Sequence, residues 1–582
     1  MTLLNLLRTL TPQVTVYYNC IVYTVDNETD GGLWWKTPQE AFVVHGKEIV
    51  FVGSEVDAFC FTEETYDLVD VEAVDLKGNV VLPGIHDVHM HPLEAGMSVA
   101  NMVLLESGAS LDVNMKNSIK EQAAANRREG VDWILGGGHS LDSVLTYMET
   151  TGKDPKDFLD EAMPNDAVVL LEETSHSVWV NSKALEKAGI TKDSGDIGGG
   201  IVLKNHATGE PNGILLEYAG NFMFDEAFKS IPTLDELNYE GLLESLAHIS
   251  ENGITSICDA RAYWGRNHHS AWKRAETEGT LTVRAVLGMW AYPNLDDQYQ
   301  ITELRKLYSN DPQRKLKMSQ IKMYSDGILH ATTAALLEKY VKDYKLQGLE
   351  ENKGMNYFTQ EKIETYIQQL QTFGEGKGYD FHVHAIGDRS VRETLNAINN
   401  TLSEQNINRR SRHRLTHVEM VDPVDLERFR VLDVTADLQV ANNFTLPNHR
   451  YENEGLIGAA RAYDTIPVRS LWNTGARVTL SSDYDVSPLN PFLGIMHAAQ
   501  RGHQSVSVHT AVEMYTINAA YVMRQEDRVG SLVKGKEADF IVIDKDIFNL
   551  PVADIVKTNV LMTVLEGGAT YKKNALDFTP VS

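Results

Sequence analysis

The chain has 582 residues, 43% hydrophobic and 23% charged, which exceeds one compact core and predicts a large domain with a smaller companion. With 53 Lys and Arg against 81 Asp and Glu, the net charge is −28, which argues against the concentrated basic surface that a nucleic-acid partner needs. Three cysteines (Cys20, Cys60 and Cys258) are too few and too scattered for a disulfide framework or a cysteine zinc site, and they fit a reducing compartment.

In chain order, Met1 to Pro12 is apolar in parts but has no basic n-region and no small-residue cleavage site, so it reads as a short leader to the first strand. No later apolar run is long enough to span a bilayer. A soluble, cytoplasmic protein with no membrane partner is expected. Strand-rich stretches at Val14–Val25, Glu40–His45, Glu48–Gly53 and Asp75–Val81, with a Gly46-Lys47 hairpin signal and no evident helix, predict a small β-domain over residues 13–80.

Val80-Val-Leu-Pro-Gly-Ile-His-Asp-Val-His-Met-His91 follows. It is an apolar strand opening, a Pro-Gly break, then His89 and His91 one residue apart. On an extended strand both project to one side, where they could bind one cation while Met90 turns into the packing. Taken alone, such a pair is more often structural than functional.

Next come a helix-like stretch at Asn117–Arg128 and a glycine run, Trp133-Ile-Leu-Gly-Gly-Gly-His-Ser140. The run lacks phosphate-loop spacing and reads as a tight turn after a strand. Ala167–Glu172 is a strand, His176 falls in a loop before a helix, and 195–200 and 208–213 are turn-rich. Together these read as an insertion over about 100–235.

From Thr233 the pattern becomes regular. Thr233-Leu-Asp-Glu236 is a capping-box signature, with Leu242, Leu246 and Ile249 at helical spacing behind it. Strands are predicted at Ile254–Cys258, Thr282–Leu287, Ser319–Tyr324, Asp380–His384, Arg414–His417, Val434–Leu438 and Val478–Ser481. Helical stretches such as Glu361–Phe373 and Arg389–Leu402 lie between several of them. With the strand before His89 there are eight, which predicts an α/β fold: a (β/α)8 TIM-type barrel over 81–505, with its active site at the C-terminal strand ends. Thr510–Met523 reads as a helix, and strand-like segments within 525–582 could complete the N-terminal sheet as a β-sandwich.

Polar residues then collect at the predicted strand ends: His89 and His91 on strand one, Lys322 on four, His384 on five, His417 on six and Asp483 after eight. Each has a bland explanation by itself. Six at one end of a barrel make a joint coincidence improbable.

The motifs Pro83-Gly-Ile-His-Asp-Val-His-Met-His91, Lys322-Met-Tyr-Ser-Asp-Gly327, His382-Val-His-Ala-Ile-Gly-Asp388, Leu415-Thr-His417, Ser482-Asp-Tyr-Asp485 and Gly535-Lys-Glu-Ala-Asp-Phe540 resemble the metal-dependent amidohydrolase superfamily. The branch they resemble is the amidohydrolase-3 group, which includes N-substituted formamide deformylases and YtcJ-like proteins. The insertion segment Ser175-His-Ser-Val-Trp-Val-Asn-Ser-Lys-Ala-Leu185 is similar to that branch too.

The resemblance implies two divalent ions, with zinc the default. His89, His91 and Asp483 would hold the more buried ion, and His384 and His417 the more exposed one. Lys322 would bridge them as a lysine carboxylated by CO2. It also implies hydrolysis of an amide-type C–N bond, as in an N-substituted formamide or another N-acyl amine. A metal-bound hydroxide would attack a small-molecule substrate, and Asp483 would shuttle the proton. His176, in the insertion, either reaches the mouth and contacts substrate or has a purely structural role. Two positions depart from the family pattern: His86 stands where an apolar residue is usual, and Thr416 where a Glu is usual. His382 competes with His384 as the fifth-strand ligand, and Asp326 and Asp388 read as outer partners or turn caps. The rival readings are a mononuclear deaminase and a metal-free interaction protein on the same fold. The sequence leaves a homo-oligomer open.

Overall fold

The computed structural model describes residues 14–26, 32–97, 102–405, 411–441, 445–446 and 450–573. The expected leader at Met1–Pro12 lies outside them. Eight parallel strands form one sheet in sequence order: Ile85–Met90, Ile254–Ala262, Arg284–Trp290, Leu316–Tyr324, Asp380–Ala385, Arg414–His417, Thr435–Leu438 and Val478–Leu480. The last strand returns to the first. Asp483 N–H donates to His89 O at 2.8 Å, His91 N–H donates to Tyr484 O, and Met90 bridges Tyr484 in parallel. The strands are buried on both faces, as a helix-covered parallel sheet requires, and most of their apolar side chains belong to one core, while Val88, Cys258 and Val286 form a small separate cluster with Ala519 and Met523.

Two further sheets are built from both chain ends. One holds Val14–Tyr18, Ala41–His45, Glu48–Gly53 and Val71–Asp75. The other holds Ile21–Val22, Val80–Pro83, Phe540–Ile543, Val560–Leu565 and Gly568–Lys572. They pack face to face through Tyr17, Phe42 and Phe540, whose ring centroids lie 4.8–5.1 Å apart, so this is a β-sandwich.

The insertion after the first barrel strand has its own six-stranded sheet, in the order Gly200–Lys204, Pro211–Glu217, Ser177–Val180, Ala167–Glu172, Trp133–His139, Val103–Leu104. Its core, around Phe158 and Trp179, is separate from that of the barrel. Among the described residues no helix is long and apolar enough to cross a membrane.

Several local expectations are corrected. The first section does contain a helix, Glu55–Thr65, capped by Ser54 Oγ accepting from Asp57 N–H. Only Ala58 and Thr62 of it are buried, so the chain carries almost no apolar periodicity there to reveal it. The glycine run is not a turn but lies inside the strand Trp133–His139. A Cβ at Gly136 would stand 2.1 Å from Val103 O, and one at Gly137 would stand 2.5 Å from Leu171 O. Glycine is needed there for two flanking backbones to approach.

His176 precedes a strand, Ser177–Val180, rather than a helix. The helix Leu234–Glu251 starts where expected, yet the Thr233 side chain makes no capping bond. Thr510–Met523 breaks at Thr516 into Val508–Tyr515 and Ile517–Val522.

Candidate metal centre

Closure of the barrel is itself what assembles the first three residues. His89 and His91 leave the end of strand one, fully buried, and the backbone pairing just described lays Asp483 against them. Asp483 Oδ1 lies 2.9 Å from His91 Nε2 and 3.2 Å from His89 Nε2. Neighbouring ligand atoms around a cation with bonds of about 2.1 Å are about 3.0–3.4 Å apart. The three side chains are therefore spaced as adjacent members of one coordination shell, and their ligand atoms lie mutually within 4.8 Å. Asp483 and His417 both hold positive φ, 60° and 72°, a strained backbone state that clusters at functional sites.

The other expected residues surround this triad. Lys322 is buried on strand four and its Nζ has no hydrogen-bond partner. Burial drives its pKa well below that of an ordinary ammonium; Asp483 opposes the shift, and Arg261 and Arg414 reinforce it. His384 Nε2 is 3.0 Å from Gly327 O. A carbonyl can only accept, so Nε2 carries the proton and Nδ1 keeps a bare lone pair with no partner. The His384 ring is 4.5 Å from that of His417, which is 4.9 Å from that of His89.

All six residues thus share one mouth, with His384 and His417 paired beside the triad rather than within it. Unpartnered buried atoms at His89 Nε2, His91 Nδ1, His384 Nδ1 and Lys322 Nζ would each cost about 1–3 kcal/mol. His89 Nε2, His91 Nε2 and His384 Nδ1, once each is free of its proton, with the Lys322 amine and a carboxylate, are a donor set that a divalent cation satisfies, so the residues fit the metal the resemblance implies. Burial lifts the Asp483 carboxyl to about 7 against the pull of Arg261 and Lys322. A bound cation would reverse that shift.

His382 stands behind the triad and faces away from the mouth. Its Nδ1 is 2.7 Å from Arg414 Nη2 and its Nε2 is 2.8 Å from His89 Nδ1. A second group with close ligand atoms, His89, His382 and Asp437, is occupied by these internal bonds. Thr416, at the departure from the family pattern, places Oγ1 3.0 Å from His89 Nδ1 and donates to Asp437 Oδ2 at 2.8 Å.

His86 is distant from this chemistry. It bonds Gly84 O at 3.1 Å, near the start of strand one. Asp326 accepts from the N–H groups of Ala335, Ile386 and Gly387, and so ties the loop after strand four to the end of strand five. Asp388 accepts from Leu337 N–H and Arg389 N–H at the start of a helix.

The insertion supplies the rim. The His176 ring lies 5.4 Å from that of His384, and its Nδ1 donates to Glu217 Oε2 at 2.7 Å. Glu217, at φ 57°, also accepts from Tyr357 OH at 2.7 Å and from Thr333 Oγ1. Arg261 reaches the same cleft from strand two, its Nε donating to Tyr324 OH at 2.9 Å and its Nη1 to Glu94 at 3.0 Å.

Sequence reasoning missed Glu217, Arg261, Tyr324, Tyr357 and Asp437. Arg261 was within reach, because strand two continues to Ala262 and carries it to the strand end. Glu217 had no local signal, since its partners come from three distant segments.

Residues 72–571 match the family described as the Amidohydrolase family. The chain is 27% identical over 538 residues to YtcJ of Bacillus subtilis, covering 88% of this chain and 93% of that one. It is 22% identical over 552 residues to an N-substituted formamide deformylase of Arthrobacter pascens, covering 92% and 95%. In fold it is similar to a crystal structure of an uncharacterized metal-dependent hydrolase from Pyrococcus furiosus. The TM-score is 0.68 and the identity 23%, covering 92% of this chain and all of that one.

Proposed function

The chain belongs to the amidohydrolase family, and from that premise we propose that it is a metal-dependent hydrolase of amide-type C–N bonds in small molecules, N-substituted formamides or other N-acyl amines. The observation that carries the reading is the convergence of His89, His91 and Asp483 beside a buried, unpaired Lys322. Those three would hold one divalent ion, and His384 and His417 a second. Lys322, held neutral by burial, is the form of the amine that captures CO2, and the carbamate would offer one oxygen to each ion. Histidine-rich donors favour zinc.

Bound there, such ions supply activated water and carbonyl polarisation. The chain's own residues do the rest. The Asp483 carboxylate takes a proton from the attacking water and returns it to the leaving amine nitrogen. His176, oriented by Glu217, meets the substrate from the insertion, and the narrow buried mouth excludes bulk water. Arg261 offers a fixed donor at the rim.

The test is metal content per chain in protein purified without chelator, with Lys322→Ala alongside. About two ions in wild type, falling sharply in the variant, is the expected result. One ion, unchanged by the substitution, would point to a mononuclear deaminase. None under metal-replete conditions would overturn both enzyme readings in favour of an interaction role.

A further inference from the structure

Five arginines among the described residues are more than nine-tenths buried, and four of them have protein partners. Arg261 binds Glu94 at 3.0 Å, Arg266 binds Asp225 at 2.6 Å, Arg284 meets three acids, and Arg414 Nη2 donates to Val88 O and Gln320 Oε1. Arg501, 8% exposed, is the fifth. Its Nε and Nη1 have no hydrogen-bond partner, and among the described residues its guanidinium makes no ion pair. Burial lowers its pKa to about 10 against the pull of Glu419, which leaves it charged at neutral pH. A charge buried without a counter-ion is costly.

Arg501 lines a cavity of about 230 Å³, between the segment that links barrel strands seven and eight and the turn after the helix Pro491–Ala499. Thr445 lines both this cavity and the mouth of the metal centre, and so stands in the wall between them. Ala462, Ile466 and the ring of Tyr463, stacked on His503 at 4.1 Å, give the cavity its apolar surface. Asn453, 5% exposed, lines it too, with an Oδ1 that has no partner. A half-turn of that amide presents its N–H groups instead.

No Asp or Glu is among the described residues that line the cavity. Asp464, close by in the chain, is held by His503 at 3.0 Å, and Glu419 lines the metal centre's mouth. An incoming cation would therefore meet Arg501 and find no carboxylate to offset it. An incoming anion meets an unpaired guanidinium, whose planar N–H groups suit a carboxylate.

We propose that this cavity is a carboxylate-binding site separate from the metal centre. It takes a small organic monocarboxylate, anchored by Arg501, whose body is a short chain or one ring lying on the apolar wall. The size agrees, since an apolar cavity of roughly 150 Å³ accepts benzene and this one is larger. None of the six residues that converge at the barrel mouth takes part, so the assignment does not rest on the hydrolase reading.

The experiment is calorimetric titration of the full chain with benzoate, benzamide, benzylamine and inorganic phosphate at constant ionic strength. Each is titrated into metal-loaded protein and into protein stripped of metal and dialysed. Wild type, Arg501→Gln and Asn453→Asp are compared. Benzoate is expected to bind at least about tenfold tighter than benzamide, which has its shape without its charge, in both metal states. Arg501→Gln removes the anchoring charge, and Asn453→Asp sets a carboxylate in the cavity at nearly constant volume. Each should erase the preference.

Folded variants that keep the preference, benzoate binding that disappears with the metal, or tightest binding by benzylamine or phosphate would overturn the assignment. Should one variant fail to fold, the other still decides. A benzoate preference in protein that takes up no metal would sink the hydrolase reading and leave this site standing. Two bound metals with no benzoate preference in the stripped protein would do the reverse.

Discussion

Two buried polar clusters sit at opposite ends of the same barrel, and they are finished differently. At the N-terminal end, Arg284 opens strand three and is 2% exposed. Its Nε and Nη2 donate to Asp539 at 2.7 and 3.1 Å, Nη1 donates to Glu566 at 3.0 Å, and Nη2 also reaches Glu537. All three acids come from the C-terminal half of the sandwich. Each guanidinium nitrogen is satisfied, and the barrel and sandwich are thereby fixed in register. At the C-terminal end, Lys322 and three histidines carry buried nitrogens with no protein partner. A closed network serves the fold, whereas buried polar atoms left without a protein partner are ones that a ligand can satisfy.

The contrast is sharpest where one partner is removed. Arg284→Met leaves Asp539 and its acidic neighbours uncompensated, and a loss of about 3–5 kcal/mol in denaturant unfolding is expected. Metal content per folded chain should not change. A loss below about 1 kcal/mol would mean that the Arg284 cluster behaves like a surface ion pair, and the two ends would cease to differ.

At the other end the same kind of substitution should change sign. In metal-free protein, Lys322→Met replaces an unpaired buried amine with an apolar chain of similar length. A gain of about 1–3 kcal/mol is expected, since the orphaned nitrogen no longer has to be desolvated. With metal present the order should invert, because the variant lacks the bridging group. Denaturation curves of both proteins, with and without chelator, read this directly. A variant less stable than wild type in chelator would show that Lys322 already has a structural role.

These differences also explain which parts were legible in the sequence. The eight barrel strands could be read because each is a short apolar run between helical or turn-rich stretches, and burial on both faces writes that run into the chain. His89, His91, Lys322, His384, His417 and Asp483 could be read because each is a polar residue at the end of such a run. The helix Glu55–Thr65 could not, since it buries only Ala58 and Thr62 outright, and Phe59 and Phe61, half-buried against Tyr18 and Phe51, fall on either side of that pair rather than in one apolar stripe with it. Glu217 and Asp437 could not either. Their meaning lies in contacts with His176 and Tyr357, or with Thr416, Thr479 and Ser481, and sequence distance hides every one of those pairs.

Thr416 tests how far the open network extends behind the ligands. Arg414 Nη2 can only donate, so His382 Nδ1 accepts and His382 Nε2 carries the proton toward His89 Nδ1. His89 then keeps its own proton on Nε2, facing Asp483. To offer Nε2 to a cation, His89 must carry its proton on Nδ1, which sets it donor against donor with His382 Nε2 at 2.8 Å and leaves Thr416 Oγ1, its own hydrogen already given to Asp437, as the acceptor that can turn that proton aside. Thr416→Val removes the acceptor at nearly constant volume and leaves Asp437 its bonds from Thr479, Ser481 and Gln439. The expected result is a fold of unchanged stability in chelator and a metal affinity lower by about tenfold, the modest end of what outer-shell partners contribute. Competition against a chromogenic chelator measures it. Unchanged affinity would mean that His89 takes its metal-binding form without help from the hydroxyl, and that the open network ends at the ligands themselves.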